Sequence, residues 1–491
     1  MFTAGYLLYN AAIYGTLILV AHFCWNFFTS TVRSFPGPGP TRFTNLWRLR
    51  DAFKGRCDIT QLRLHRKYGS AVRLGPNMLS LSDPALIHQV YSTKTRWMKS
   101  EMYNVNDTMV NGARRKDIFS HRDEEWHSTF IRPVRPLFSM TKVQEYQPAI
   151  DTILKILVEN IRERFVETHQ ACDMSPYVGY FAWDTMSQIT FSKDLGMLEH
   201  GRDERNLMEI STKTSDYFSP ISQFPKLDFI LNKSPIYRIG PPSSGWGVLF
   251  GIEQDKNRLK NGRPKSQSTE SQPIVYFMDK YISLKDKYPN TVTDDTIITY
   301  LLSNIAAGSD TAASTMRAVV YYILKNPSVR QRLCEELRSA DLSYPPEWKK
   351  LQGLKYLEAV MRESMRINPG VGFSLERVVP KGGLTLPDGR FIPEGTIVGN
   401  EPLERWLRAD YEAEEEYQAR IQAMKGANFT FGAGTRSCVG RYLSELEASK
   451  FLATLFTTFD MELPSLDHEW KVTNSMFVRQ ENIPVIIQDA S

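Results

Sequence analysis

Cys438 stands in FGAGTRSCVG, residues 431–440, among three glycines and an arginine. The next segment, RYLSELEASKFLATLFTTF, carries leucine and phenylalanine at helical spacing, which puts the thiol at or just before a helix N-terminus. Free amide hydrogens and the positive end of the dipole there favour a thiolate, the form that ligates metals. A free cysteine is otherwise most often a small core residue, so its neighbours must decide. Asp310 and Thr311 follow Gly308 inside an apolar stretch, where an acid beside an alcohol could move protons. Equally, the acid could face water while the threonine hydroxyl bonds back to the carbonyl of Ala307. On that helix alone both readings stay open.

These residues need rigid elements. TDDTIITYLLSNIAAGSDTAASTMRAVVYYILK predicts one long helix, capped by Thr293, with Asp294 and Asp295 in the positive first turn and Asn326-Pro327 ending it. Gly308 costs about 1 kcal/mol in a helix interior and suggests a local opening. A second helix, GLKYLEAVMRESMRINPG, carries Leu357, Val360, Met361 and Met365 on one face. Glu363 and Arg366 lie opposite at i and i+3, the spacing of an ordinary surface pair. AVRLGPNMLSLSDP alternates about a Gly-Pro-Asn turn and predicts a hairpin. Residues 255–273 are polar and read as an exposed loop.

The chain has 491 residues, 42% of them hydrophobic, ample for a large core. Sixty basic against 55 acidic residues leave a net +5, too mild to imply nucleic acid. Five scattered cysteines, with no Cys-x-x-Cys pair, suggest neither a disulfide framework nor a zinc ribbon. Residues 6–28 are uncharged and long enough to span a bilayer. No basic start or small-residue cleavage site marks a signal peptide, so an uncleaved anchor is expected. Arg33, Arg42, Arg48 and Arg50 follow it, which keeps the remainder cytosolic and the sequons at Asn106, Asn232 and Asn428 silent. The expected organisation is a membrane anchor over 1–33, a proline-glycine spacer over 34–40 and a single catalytic domain over 41–491.

Together these pieces resemble the cytochrome P450 family of haem-thiolate monooxygenases. Phe431, Gly434, Arg436, Cys438 and Gly440 match its cysteine loop. Ala307, Gly308, Asp310 and Thr311 match its oxygen-binding helix, and Glu363 with Arg366 its Glu-x-x-Arg helix. AAGSDTAAST and the terminal FVRQ look like the fungal microsomal branch that includes pisatin demethylase and other secondary-metabolism enzymes. The resemblance implies a mainly α fold with small β-sheets (α+β), preceded by one transmembrane helix.

It further implies haem b with Cys438 as axial iron ligand, whose electron donation favours O–O cleavage. Gly434 and Gly440 would let the backbone approach the porphyrin and supply amides to the sulfur, and Phe431 would limit solvation of the thiolate. Arg436, Arg377, His127 and Arg132 would meet the propionates. Asp310 and Thr311 would deliver protons, with Gly308 giving the oxygen room. Glu363, Arg366 and Arg405 would form a buried structural triad. Phe119, Ala307, Phe373, Phe477 and the aromatic stretch 217–229 would line a substrate pocket.

The activity implied is NADPH- and O2-dependent oxygenation of a lipophilic small molecule, such as a fungal terpenoid or polyketide. Electrons would come from NADPH–cytochrome P450 reductase, with cytochrome b5 as a second donor, at the endoplasmic reticulum membrane. Arg114, Arg115, Lys116 and Arg135 are the basic residues that could meet an acidic reductase face. One departure stands out: Asn400-Glu401-Pro402 runs directly into Leu403-Glu404-Arg405-Trp406, where the family has a longer meander. That shortening keeps an inactive haem-binding variant as an alternative, beside a haem-thiolate isomerase or dehydratase.

Overall fold

The structure is a computed structural model that describes residues 2–110, 113–234, 236–241, 276–400 and 428–490. The polar loop 255–273 and the shortened segment with Arg405 lie outside the described residues. The helices that build the site are α1 (Phe2–Thr29), α2 (Glu124–Ile131), α3 (Gln147–Ile161), α4 (Met174–Phe191), α5 (Leu207–Ile221), α6 (Asp294–Lys325), α7 (Lys355–Ile367) and α8 (Arg441–Thr458). Small sheets flank them, so the architecture is mainly α, as expected.

The sequence punctuates α6 as anticipated: the Thr293 hydroxyl accepts from the amide of Thr296 at 3.3 Å, and the helix stops at Lys325. It is continuous through Gly308, where an opening was expected. A methyl group at Gly308 would sit 2.6 Å from the Met186 side chain, so this glycine lets α4 lie close against α6. Most of α4 is buried around its whole circumference, which requires neighbours on every side. Trp183 and Phe181 are fully buried, and the Phe181 ring lies 4.9 Å from that of Phe451 on α8.

The predicted hairpin forms as β1 (Ala71–Gly75) and β2 (Met78–Leu81), antiparallel across Pro76-Asn77. Strands β3 (Arg377–Val378) and β4 (Ile397–Asn400) extend it in the order β1-β2-β4-β3, with β2 and β4 parallel. A second antiparallel pair, β5 (Lys471–Ser475) and β6 (Phe477–Glu481), faces α5 and α6. The proline-glycine segment is docked onto this framework and does not stand free as a spacer. The amide of Arg73 donates to the carbonyl of Pro36 at 2.8 Å, and a side chain at Gly37 would collide with the Arg73 carbonyl. Ahead of it, Tyr9–Thr29 of α1 gives 21 residues of mean hydropathy 1.5, long enough to cross a membrane and unburied by the protein.

One buried ion pair ties α8 to α3. Lys450 is completely enclosed and sits 2.7 Å from Asp151, while its ammonium also donates to the carbonyl of Pro346. Burial pushes the lysine pKa down and the aspartate pKa up, and their pairing offsets part of both shifts. Asp151→Ala, which strands the ammonium, is expected to cost about 3 kcal/mol or more in denaturant unfolding, and Lys450→Met distinctly less.

Candidate active site

The Cys438 loop is shaped by its glycines and held from both sides. Gly432 and Gly434 take φ of +66° and +70°, and a methyl at Gly434 would lie 2.1 Å from the carbonyl of Tyr91. Gly434 therefore serves a close backbone approach to Tyr91 and is not a wall of the cavity described below. The amide of Cys438 donates to the carbonyl of Phe431 at 2.8 Å, closing the loop. Gly440 caps α8, which begins at Arg441, so the thiol precedes a helix start as its sequence context suggested. Burial pushes the thiol pKa up, while the amides of Gly440 and Arg441 pull it down. The sulfur is enclosed by protein yet accessible to a water-sized sphere, because it opens on an internal cavity.

That cavity has a volume of about 890 Å³ and brings together most of the residues singled out from sequence. Phe431, Arg436, Cys438 and Gly440 line its floor, with His127 and Arg377 at its side. Ala307, Gly308 and Thr311 of α6 form the facing wall, and Phe119, Phe373 and Phe477 line it too. The Thr311 hydroxyl donates to the carbonyl of Ala307 at 2.7 Å and still faces the cavity, so the back-bonded reading and the cavity-facing one both hold.

Three expectations fail on position. Arg132 caps the end of α2 on its exposed side and does not line the cavity. Asp310 is half-buried and is not on the cavity wall. It lies against α4 and α5, where Trp183 Nε1 donates to Oδ1 at 3.1 Å and the Ser211 hydroxyl donates to Oδ2. Glu363 and Arg366 make a two-pronged ion pair at 2.9 and 2.7 Å, but each side chain remains 27% exposed, so the pair is half-buried.

Other participants gave no sequence signal. Glu124, the first residue of α2, accepts from Arg436 Nε at 2.7 Å and from the Thr435 hydroxyl at 2.9 Å, docking the cysteine loop on that helix end. Lys99 bridges to Arg377 in antiparallel register, which sets both side chains on one face. Its buried ammonium donates to the carbonyl of Phe119 at 2.6 Å and lies 4.1 Å from the Tyr103 ring and 4.3 Å from the Phe119 ring. Glu447 of α8 reaches the cavity as a buried acid whose pKa burial pushes up to about 8. No group of three or more His, Cys, Asp or Glu placed to hold a metal ion occurs among the described residues.

A family model for cytochrome P450 matches residues 36–486. The chain belongs to the cytochrome P450 family. Among similar proteins is the cytochrome P450 monooxygenase cfoH of Aspergillus candidus, 35% identical over 96% of this chain and 91% of its own. Another, cicH of Emericella nidulans, is 32% identical over 90% of this chain and 91% of its own. A third, pkfB of the same organism, is 33% identical over 92% and 90%. The chain is accordingly a cytochrome P450 monooxygenase.

The family implies haem iron, and the cavity fits it. A single thiol sits on the floor beside helix-end amides, and Lys99, Arg377 and Arg436 gather at one side. Lys99 and Arg377 have no carboxylate salt-bridge partner among the described residues; Arg377 donates to the carbonyls of Leu375 and Glu376 at 3.1 and 3.0 Å and lies 5.0 Å from the Tyr91 ring. Buried cations without a carboxylate partner suit a ligand that carries carboxylates.

The same positive field acts on His127. Burial, with Arg436, Lys99, Arg135 and Arg377 nearby, lowers its pKa from 6.5 to about 3. Above 6.5 the imidazole is neutral in both folded and unfolded chains. As pH falls from 6.5 towards 3, only the unfolded chain gains the proton, and folding stability declines through that window. His127→Gln should flatten this acid branch when unfolding midpoints are compared across pH.

Proposed function

We propose that this cytochrome P450 inserts one oxygen atom from O2 into a lipophilic small molecule, using NADPH through NADPH–cytochrome P450 reductase, with cytochrome b5 as a second donor. The substrate class is a fungal secondary metabolite such as a terpenoid or polyketide. Residues 1–33 anchor the chain in the endoplasmic reticulum membrane, 34–40 lead into the catalytic domain, and 41–491 form that domain on the cytosolic side. The observation that carries the reading is one large cavity lined by the Cys438 thiol together with Thr311 and Ala307 of α6.

Cys438 would hold haem iron, and Arg436, Arg377, His127 and Lys99 would meet its carboxylates. Haem supplies the activation of dioxygen. What remains is the work of the chain itself. Phe119, Phe373, Phe477, Ile131 and Ala307 give the pocket an apolar lining, which favours a lipophilic substrate and excludes water from it. Thr311 presents a hydroxyl whose own proton is engaged with the Ala307 carbonyl, leaving oxygen lone pairs towards the cavity to order a water or a substrate-side donor. Asp310, next in the chain, is the half-buried acid from which protons are drawn. Burial pushes its pKa upward, against the opposing pull of the Ser211 and Trp183 hydrogen bonds, and so favours a carboxyl that retains its proton. The acid and alcohol favour oxygenation over a rearrangement that needs no proton delivery. The secondary-metabolite assignment is supported by the sequence likeness in AAGSDTAAST and FVRQ and by the fungal origin of the relatives.

The test begins with full-length protein in membranes. The dithionite-reduced form should give the red-shifted Soret band of a thiolate-ligated ferrous carbonyl, and Cys438→Ala should abolish it. Thr311→Ala should keep that band but divert NADPH electrons to hydrogen peroxide, lowering product per NADPH by about tenfold or more once a substrate is in hand. Unchanged coupling would remove Thr311 from the mechanism. Lys99→Met should release haem to apomyoglobin about tenfold faster than the unaltered protein, with Lys99→Arg closer to normal, because a charge that meets a carboxylate is lost only in the first.

A further inference from the structure

Asp310 is half-buried between three helices and absent from the cavity lining that its neighbours Gly308 and Thr311 join, and both its carboxyl oxygens are hydrogen-bonded. Its two hydrogen-bond partners differ in what they can do. Trp183 is fully buried on α4, and its indole nitrogen is a donor only, so it can hold the carboxylate but cannot pass a proton on. Ser211 on α5 carries a hydroxyl, which donates and accepts at once, and it lines the cavity. It is therefore a hydrogen-bonded bridge between the acid and the cavity.

The bridge is held in place. One turn further along α5, Thr214 and Ser215 also face the cavity, and Phe218 follows. Asp216 on the same helix accepts from the Ser475 hydroxyl at 2.5 Å and from Arg479 at 3.2 Å, pinning α5 to β5 and β6. The charged groups around Asp310 are Arg317, just under two helical turns along α6, and Arg479 on β6; both favour its ionised form, while burial opposes it.

We propose that Ser211 is the relay through which Asp310 exchanges protons with the cavity. In the step, the Ser211 hydroxyl turns from Oδ2 to a cavity water, the protonated carboxyl donates across the same contact, and the serine oxygen gives its proton to the water as it takes the carboxyl proton of Asp310. One O–H bond breaks and one forms at the serine oxygen, the water gains a proton, Asp310 becomes a carboxylate, and no electrons are transferred. The reverse sequence reloads the acid. Thr311 then acts on the cavity side alone, and the acid-alcohol pair adjacent in sequence works through a third residue from another helix. The inference rests on the reading of Asp310 as proton source.

The test uses ferric holoprotein in membranes and infrared spectroscopy. The protonated carboxyl band that Asp310→Asn removes is followed after transfer into D2O. Ser211→Ala is expected to slow its isotope shift by about tenfold or more, while Ser211→Thr, which restores a hydroxyl, and Trp183→Phe, which removes only the tie, stay within a few-fold of the unaltered protein. Exchange in Ser211→Ala at the unaltered rate would overturn the relay, and so would equal slowing by Trp183→Phe, since that marks a purely structural tie. If Ser211→Ala does not fold, Ser211→Gly takes its place under the same criteria. If Asp310→Asn removes no band and leaves product per NADPH unchanged, the reading of Asp310 fails and takes the relay with it; loss of coupling in Asp310→Asn with normal exchange in Ser211→Ala condemns the relay alone.

Discussion

A single carboxylate fixes where the reactive thiol can be. Glu124 binds Arg436 and Thr435 together, and both partner side chains in the Glu124–Arg436 ion pair are nearly closed to solvent. Partners in such a setting are costly to separate, because each would be left as an uncompensated buried charge. The contact joins the start of α2 to the loop that precedes α8, elements distant in sequence. Asp123, one residue earlier, caps α2 by accepting from the amides of Glu125 and Trp126, so the carboxylate of Glu124 is presented by an ordered helix end. Cys438 lies two residues beyond Arg436 and inherits that order.

Charge is distributed around the cavity with a purpose that neutral packing could not serve. Burial, reinforced by the nearby cations, holds His127 neutral, while Lys99 and Arg377 donate to carbonyl oxygens. Opposite them the wall of α6 is small and apolar at Ala306 and Ala307. Glutamate 447, behind the thiol loop, adds an acid that stays largely uncharged at neutral pH and so does not cancel this field.

Local patterns in the chain carried the elements well. The caps of α6, the Pro76-Asn77 hairpin and the helix after Gly440 all follow from signals within a few residues of one another. The cysteine loop and most cavity residues could be named because their motifs are contiguous. What escaped is long-range. Nothing near Glu124 distinguishes it from any acid in a first helical turn, and its meaning comes from Arg436. Lys99 gains its place only by bridging to Arg377. Gly308 looked like a break in its own helix, yet its reason lies in Met186 of another. Asp310 turned out to be oriented by Trp183 and Ser211, and its motif says which residues are adjacent but not which way a side chain turns. Arg132 failed for the same cause, since the end of α2 rotates it outward.

The parallel pairing of Met78 with Ile397 and of Leu79 with Val398 joins strands from opposite ends of the catalytic domain. A chain emerging from the ribosome makes the β1–β2 hairpin early, but the strand that covers its open edge arrives only after all of α6 and α7 have been synthesised. Until then β2 offers unpaired backbone amides and carbonyls beside the buried side chains of Met78 and Leu79, an aggregation-prone edge. Closure of that sheet is thus a late, entropically demanding event. It also sets Arg377 on β3, so the cationic side of the cavity is completed only when this long loop has closed.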